Sequence, residues 1–167
     1  MEENNKDLSS LLDKFNEKHK EFRAEKNNAD KRVSDFKDEF KDIAINKIKP
    51  IMVRYGELLE SKNIGYHIGE HFDVRYSPIK DPSISMIIDF NTEASRQAST
   101  KPEIRFSATG EFISLYEAEM DPHGSGSAGA SGTLTKDEFT DELITEKIET
   151  FLRKIFSKDW TKYDFFP

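Results

Sequence analysis

The chain has 167 residues, 34% charged and 35% hydrophobic, with no cysteine, thirteen phenylalanines and a formal net charge of −7. That length fits one domain with an appendage, and the lack of cysteine excludes disulfide scaffolds, thiolate zinc sites and cysteine nucleophiles. No stretch approaches the roughly 18 consecutive apolar residues of a membrane span, and the opening MEENNKD lacks the basic and apolar regions of a secretory signal. The expectation is a soluble, cytoplasmic protein with no membrane partner.

The charge is unevenly placed. Residues 1–62 hold 14 Lys/Arg against 14 Asp/Glu, residues 63–135 hold 5 against 10, and residues 136–167 hold 6 against 8. The negative surplus falls in the middle third, the reverse of a phosphate-binding surface, so nucleic acid is not an expected partner.

Residues 1–7 read as a disordered N-terminus and residues 8–62 as a long helical segment. Leu8, Phe15, Phe22, Ala29, Phe36 and Ile43 recur every seventh residue, and four places after them come Leu12, His19, Lys26, Val33, Phe40 and Lys47. Nine of these twelve positions are apolar, and only a helix keeps such a stripe on one side. From Leu8 to Ile48 the helix would be about 60 Å long at about 1.5 Å per residue, more than a small domain can cover. The poor helix formers Asn27, Asn28 and Asp30 offer a hinge for an αα-hairpin. The register running through them favours a continuous, coiled-coil-like helix. Phenylalanine is not what parallel dimeric zippers prefer in the core, so antiparallel pairing or packing on the rest of the chain fits better. The stripe is expected to bind a second copy, with Leu8, Phe15, Phe22, Val33, Phe36 and Phe40 as contacts. Lys49-Pro50 kinks the segment, and Ile51, Tyr55, Leu58 and Leu59 continue it to a left-handed stop near Asn63-Ile64-Gly65.

Residues 63–157 read as an antiparallel sheet followed by a helix. Alternation from Tyr66 to Tyr76, from Ile84 to Phe90, from Ile104 to Ala108 and from Glu111 to Met120 predicts four strands. Their connections are too short for crossover helices, so the strands should be antiparallel neighbours.

His67-Ile68-Gly69-Glu70-His71 matches the H-x-x-E-H pattern of inverted zinc proteases. That chemistry needs a helix, whereas in a strand the two histidines lie about 13 Å apart at about 3.3 Å per residue. Gly124-Ser125-Gly126-Ser127-Ala128-Gly129 is formally G-x-G-x-x-G. It does not link a strand directly to a helix, and residues 121–133 read as a flexible Gly/Ser loop. Asp89 at the end of one strand and Glu103-Ile104-Arg105 at the start of the next resemble metal-dependent nucleases of the restriction-enzyme type. That resemblance implies Mg²⁺ held by Asp89 and Glu103, with Arg105 where lysine is usual. A cross-strand Glu–Arg surface pairing explains the same residues. No other cofactor is expected.

Thr135-Lys136-Asp137-Glu138 reads as a capping box, with Leu134 and Phe139 as its hydrophobic staple. The helix it opens carries a broad apolar stripe from Phe139 to Phe156, suited to packing on one sheet face. Residues 158–167 form an aromatic tail. Trp160, Tyr163, Phe165 and Phe166 either cover the core or anchor the chain in a partner protein's pocket.

The expected architecture is therefore α+β: a long N-terminal helix, a four-stranded antiparallel sheet and a C-terminal helix packed on one sheet face. The expected function is a non-enzymatic, self-associating interaction module, with the nuclease as the alternative.

Overall fold

From Glu2 to Ile43 the chain is one α-helix, α1. The helix already includes residues 2–7, expected to be disordered, and it passes through Asn27-Asn28-Ala29-Asp30 without a hairpin. That cluster holds neither glycine nor proline, so its low propensity costs only a few tenths of a kcal/mol per residue and does not break the helix. The computed structural model describes residues 2–73, 81–90, 101–120 and 126–158. Its contacts divide the chain into two compact units, Met1–Asp35 and Phe36–Pro167.

In the second unit the helix changes pitch. Ala44–Ile48 is a π-helical turn, in which the Lys49 N–H donates to the Ala44 carbonyl, and α2 follows over Lys49–Glu60. Pro50, in the first turn of α2, has no N–H to give to the turn before it, and a widened turn is one of the ways a helix absorbs that loss. The heptad register therefore slips here. Phe36, Phe40, Ala44, Ile48 and Met52, four apart, are the buried series, while Lys47 is exposed and Ile43 half-buried. Asn63 ends the segment with φ of 61°, and the Ile64 N–H donates back to the Leu59 carbonyl, the left-handed stop expected there.

Among the described residues five strands follow, one more than the alternation predicts: β1 (Gly65–His71), β2 (Ser83–Asp89), β3 (Glu103–Thr109), β4 (Phe112–Met120) and β5 (Gly126–Leu134). Each pairs antiparallel with the next, in the spatial order β1-β2-β3-β4-β5. The additional strand is Gly126–Leu134, part of the stretch expected to be a flexible loop. Its side chains are small and exposed along nearly its whole length, so it has no apolar alternation to read. β1 stops at His71, short of the run expected to reach Tyr76; Val74 and Tyr76 lie outside the described residues. The β3–β4 turn is tight, with Thr109 opposite Phe112 and Gly110 taking a φ of 62° that suits the first central position of a hairpin. This register buries Ile113 and leaves Phe112 49% exposed.

The register gives the sheet two unlike faces. Tyr66 and Ile68, then Ile84, Met86 and Ile88, then Ile104, Phe106 and Ala108 share one face, because residues directly opposite in an antiparallel pair point the same way. That face forms the core with Phe40, Ile48 and Met52 and with α3 (Asp141–Phe156). The other face carries His67, His71, Ser83, Ser85, Glu103, Arg105 and Tyr116.

The C-terminal helix begins later than the capping box implies. Glu138 accepts from the Thr135 N–H at 2.9 Å and the Thr135 hydroxyl at 2.7 Å, but the box closes a separate turn over residues 136–138. The helix itself is capped by Thr140, whose hydroxyl accepts from the Leu143 N–H at 3.2 Å. Phe139, expected inside the helix, is buried just ahead of it and meets Phe106 edge-on at 5.6 Å. Ile144, Ile148, Phe151, Leu152 and Ile155 supply the buried stripe. Two polar ties fix α3 to α2: Tyr55 donates to Glu149 at 2.5 Å, and Arg54 donates to Thr145 at 3.5 Å.

Candidate interaction surface

In the first unit, α1 carries large apolar side chains on its solvent surface. Leu11, Leu12, Phe15 and Phe22 are each between 54% and 64% exposed. Phe15 stacks on His19 at 5.8 Å between ring centroids, a contact within the helix that leaves both residues open to solvent. Lys26 is exposed on the same stripe, and Ala29 and Val33 are half-buried. Single exposed apolar residues are ordinary on a protein surface; this cluster, at helical spacing, forms a patch.

Not every residue of the expected contact stripe belongs to this patch. Phe36 and Phe40 are buried in the core of the second unit together with Ala44, Ile48 and Met52. They are therefore packing residues and are removed from the expected contact set. Leu8 is on α1, with its side chain outside the described set; Trp160, Tyr163, Phe165 and Phe166 also lie outside the described residues. Leu11, absent from the expected set, is exposed beside Leu12. Its adjacency to a stripe residue is the signal that could have found it.

The second cluster is on the sheet face away from the helices. Asp89 is paired with Lys101 at 2.8 Å. Glu103 accepts both the Nε and an Nη of Arg105, at 2.9 and 2.7 Å, and the guanidinium lies 4.8 Å from the centre of the Tyr116 ring. Ile87 is opposite Glu103, so Asp89, two places along β2, shares the face of Glu103. The structure thus places the three residues of the nuclease-like pattern close in the sheet. Each carboxylate already has a cation against it, and a bidentate Arg–carboxylate pair is a strong, fixed interaction. Among the described residues no group of three His, Cys, Asp or Glu side chains is placed to hold one metal ion. His67 and His71 belong to β1 rather than to a helix, which removes the i, i+4 helical spacing that the zinc-protease pattern needs.

A third cluster joins the end of α3 to the sheet. Glu117 is opposite Ile104 and therefore on the helix-facing side, with Glu119 two places on. Lys154 bonds to both carboxylates and Lys158 bonds to Glu119. Burial acts to raise the Glu119 carboxyl, but the two lysines outweigh it and hold the group below its ordinary value. The same bonds hold the Lys154 ammonium above its own. This is a structural clamp, with cations at a helix C-terminus where the dipole favours them.

No helix among the described residues is long and apolar enough to cross a membrane. No family model, curated protein or solved structure matches the chain.

Proposed function

We propose that the chain is a protein–protein interaction module that self-associates through its N-terminal helix. The observation that carries this reading is the exposed run of Leu11, Leu12, Phe15 and Phe22 on one helix. Burying an exposed leucine or phenylalanine is worth about 1.5–3 kcal/mol, so covering this patch supplies enough free energy to drive association. The aromatic tail, residues 158–167, is the second proposed contact and takes a protein partner. Analytical ultracentrifugation at micromolar concentration tests the reading. A dimer or higher oligomer that dissociates in Phe15→Glu/Phe22→Glu supports it, and a wild-type monomer overturns it.

A second reading has one observation in its favour. Asp89 and Glu103 share a face on neighbouring strands with Arg105 beside them, an arrangement compatible with a Mg²⁺-dependent nuclease. Cleavage of DNA or RNA that requires Mg²⁺ or Mn²⁺ and disappears in Asp89→Ala would support it. Inertness on several substrates with either metal present would end it.

A further inference from the structure

We infer that two copies of the helix pair antiparallel, with Leu12 of one copy opposite Ala29 of the other. This rests on the self-association reading and goes on to name the partner's orientation and register. The stripe sets Phe15, Phe22 and Ala29 at core position d and Leu12, His19, Lys26 and Val33 at core position a. Asn16, Arg23 and Asp30 then flank it at e, and Leu11, Lys18, Glu25 and Arg32 at g.

Orientation decides what these side chains meet. In a parallel in-register pair each core residue faces its own copy, and each g residue faces the e residue five places on. Lys26 then opposes Lys26 and His19 opposes His19 in the seam. On the flanks Lys18 meets Arg23, and Glu25 meets Asp30. Each charged pair is of like sign, which suppresses that arrangement.

Reversing one helix makes a face d and pairs g with g and e with e. With Leu12 opposite Ala29, His19 falls opposite Phe22 and Lys26 opposite Phe15, so the seam imidazole meets an aromatic ring and the seam lysine an aromatic face. On the flanks Lys18 meets Glu25 twice by symmetry, and Asn16 meets Arg23. Sliding one copy by a heptad brings Lys18 onto Lys18 in one direction and Glu25 onto Glu25 in the other. The favoured overlap uses residues 12–29, all inside the first unit and including the exposed Leu12, Phe15 and Phe22. It needs neither Phe36 nor Phe40, which are committed to the core.

The absence of native cysteine makes the orientation readable. Leu12→Cys and Ala29→Cys variants are mixed at micromolar concentration, oxidised mildly, and analysed by non-reducing electrophoresis and mass spectrometry. A disulfide joining position 12 of one copy to position 29 of the other is the expected product. A main product joining position 12 to position 12 overturns the antiparallel register while leaving self-association standing. Monomeric wild-type protein by ultracentrifugation overturns both. Charge variants give a second measure without cysteine. Glu25→Lys weakens the antiparallel dimer about tenfold at low salt, and Lys18→Glu/Glu25→Lys restores it. In the parallel dimer Glu25→Lys instead removes a clash with Asp30 and tightens association, a result that would overturn the inference.

Discussion

Gly56 of α2 lies directly against Tyr66 of β1: a Cβ built on the glycine would come within 2.2 Å of two carbons of the tyrosine ring. The glycine is there because the helix and the first strand approach too closely for any side chain. Alanine at position 56 gains about 1 kcal/mol of helix propensity but must displace a half-buried ring, and overpacking of this kind costs about 1–3 kcal/mol. Gly56→Ala is expected to lower stability by about 1 kcal/mol net. In a Tyr66→Ala background the same change should become stabilising. A double-mutant cycle in urea reads the coupling directly.

Two phenylalanines of the same heptad stripe should behave in opposite ways. Phe40 is fully buried and Phe22 is 64% exposed. Phe40→Ala is expected to destabilise by about 3–5 kcal/mol. Phe22→Ala should leave the intrinsic stability of the second unit within about 0.5 kcal/mol of wild type and act on association instead. Thermal denaturation of dilute samples, paired with sedimentation, separates the two effects.

Thr140 and Thr135 offer a sharper contrast, since both resemble helix caps. Thr140 accepts from a backbone N–H of the helix, whereas Thr135 bonds to the Glu138 side chain. Thr140→Ala is expected to cost about 1 kcal/mol. Thr135→Ala removes a bond at an exposed turn and should cost less. Guanidinium denaturation midpoints order the two.

The Glu119 clamp gives stability a defined pH response. Its folded-state pKa is below the ordinary value of 4.5, so the unfolded chain binds its proton more readily. The stabilisation is present above about pH 4.5 and is lost as pH falls through the lower folded value. Lys154, raised above 10.5, contributes below that pH and loses its contribution as pH rises through the folded value. Glu119→Gln is expected to flatten the acid limb of a urea midpoint–pH curve, and Lys154→Met the alkaline limb.

Ser83 is completely buried, and its hydroxyl oxygen has no hydrogen-bond partner among the described residues. An unsatisfied buried hydroxyl costs about 1–3 kcal/mol. Ser83→Ala is expected to stabilise the fold by up to about 1 kcal/mol, seen as a higher melting temperature.

What is legible in the sequence follows apolar mass. The stripe from Leu12 to Phe40, the alternation of Ile84-Met86-Ile88 and of Ile104-Phe106-Ala108, and the stripe of the last helix each announce themselves by side-chain period. β5 has no such mass: Gly126 is required because a Cβ there would lie 2.2 Å from the Glu119 carbonyl oxygen, and its neighbours are small and exposed. Backbone pairing alone makes it a strand, and pairing leaves no hydrophobic trace. The start of α3 falls later than predicted because Thr135–Glu138 satisfies the local capping chemistry without a helix following at once. The candidate surface is half legible. Phe15 and Phe22 group with Phe36 and Phe40 in the sequence because a period cannot tell an exposed stripe from a buried one.

The π turn at Ala44–Ile48 acts as a phase shifter. Four-residue spacing from Phe36 to Met52 would wind steadily around an ideal α-helix, since four exceeds the 3.6 residues of a turn. Taking one additional residue into a single turn resets that drift and returns Ile48 and Met52 to the azimuth of Phe40. A one-residue deletion between Ala44 and Ile48 would therefore remove the additional residue and close an ordinary α turn, leaving the apolar side of α2 at the same azimuth, whereas the same deletion outside the π turn would rotate it by about 100°.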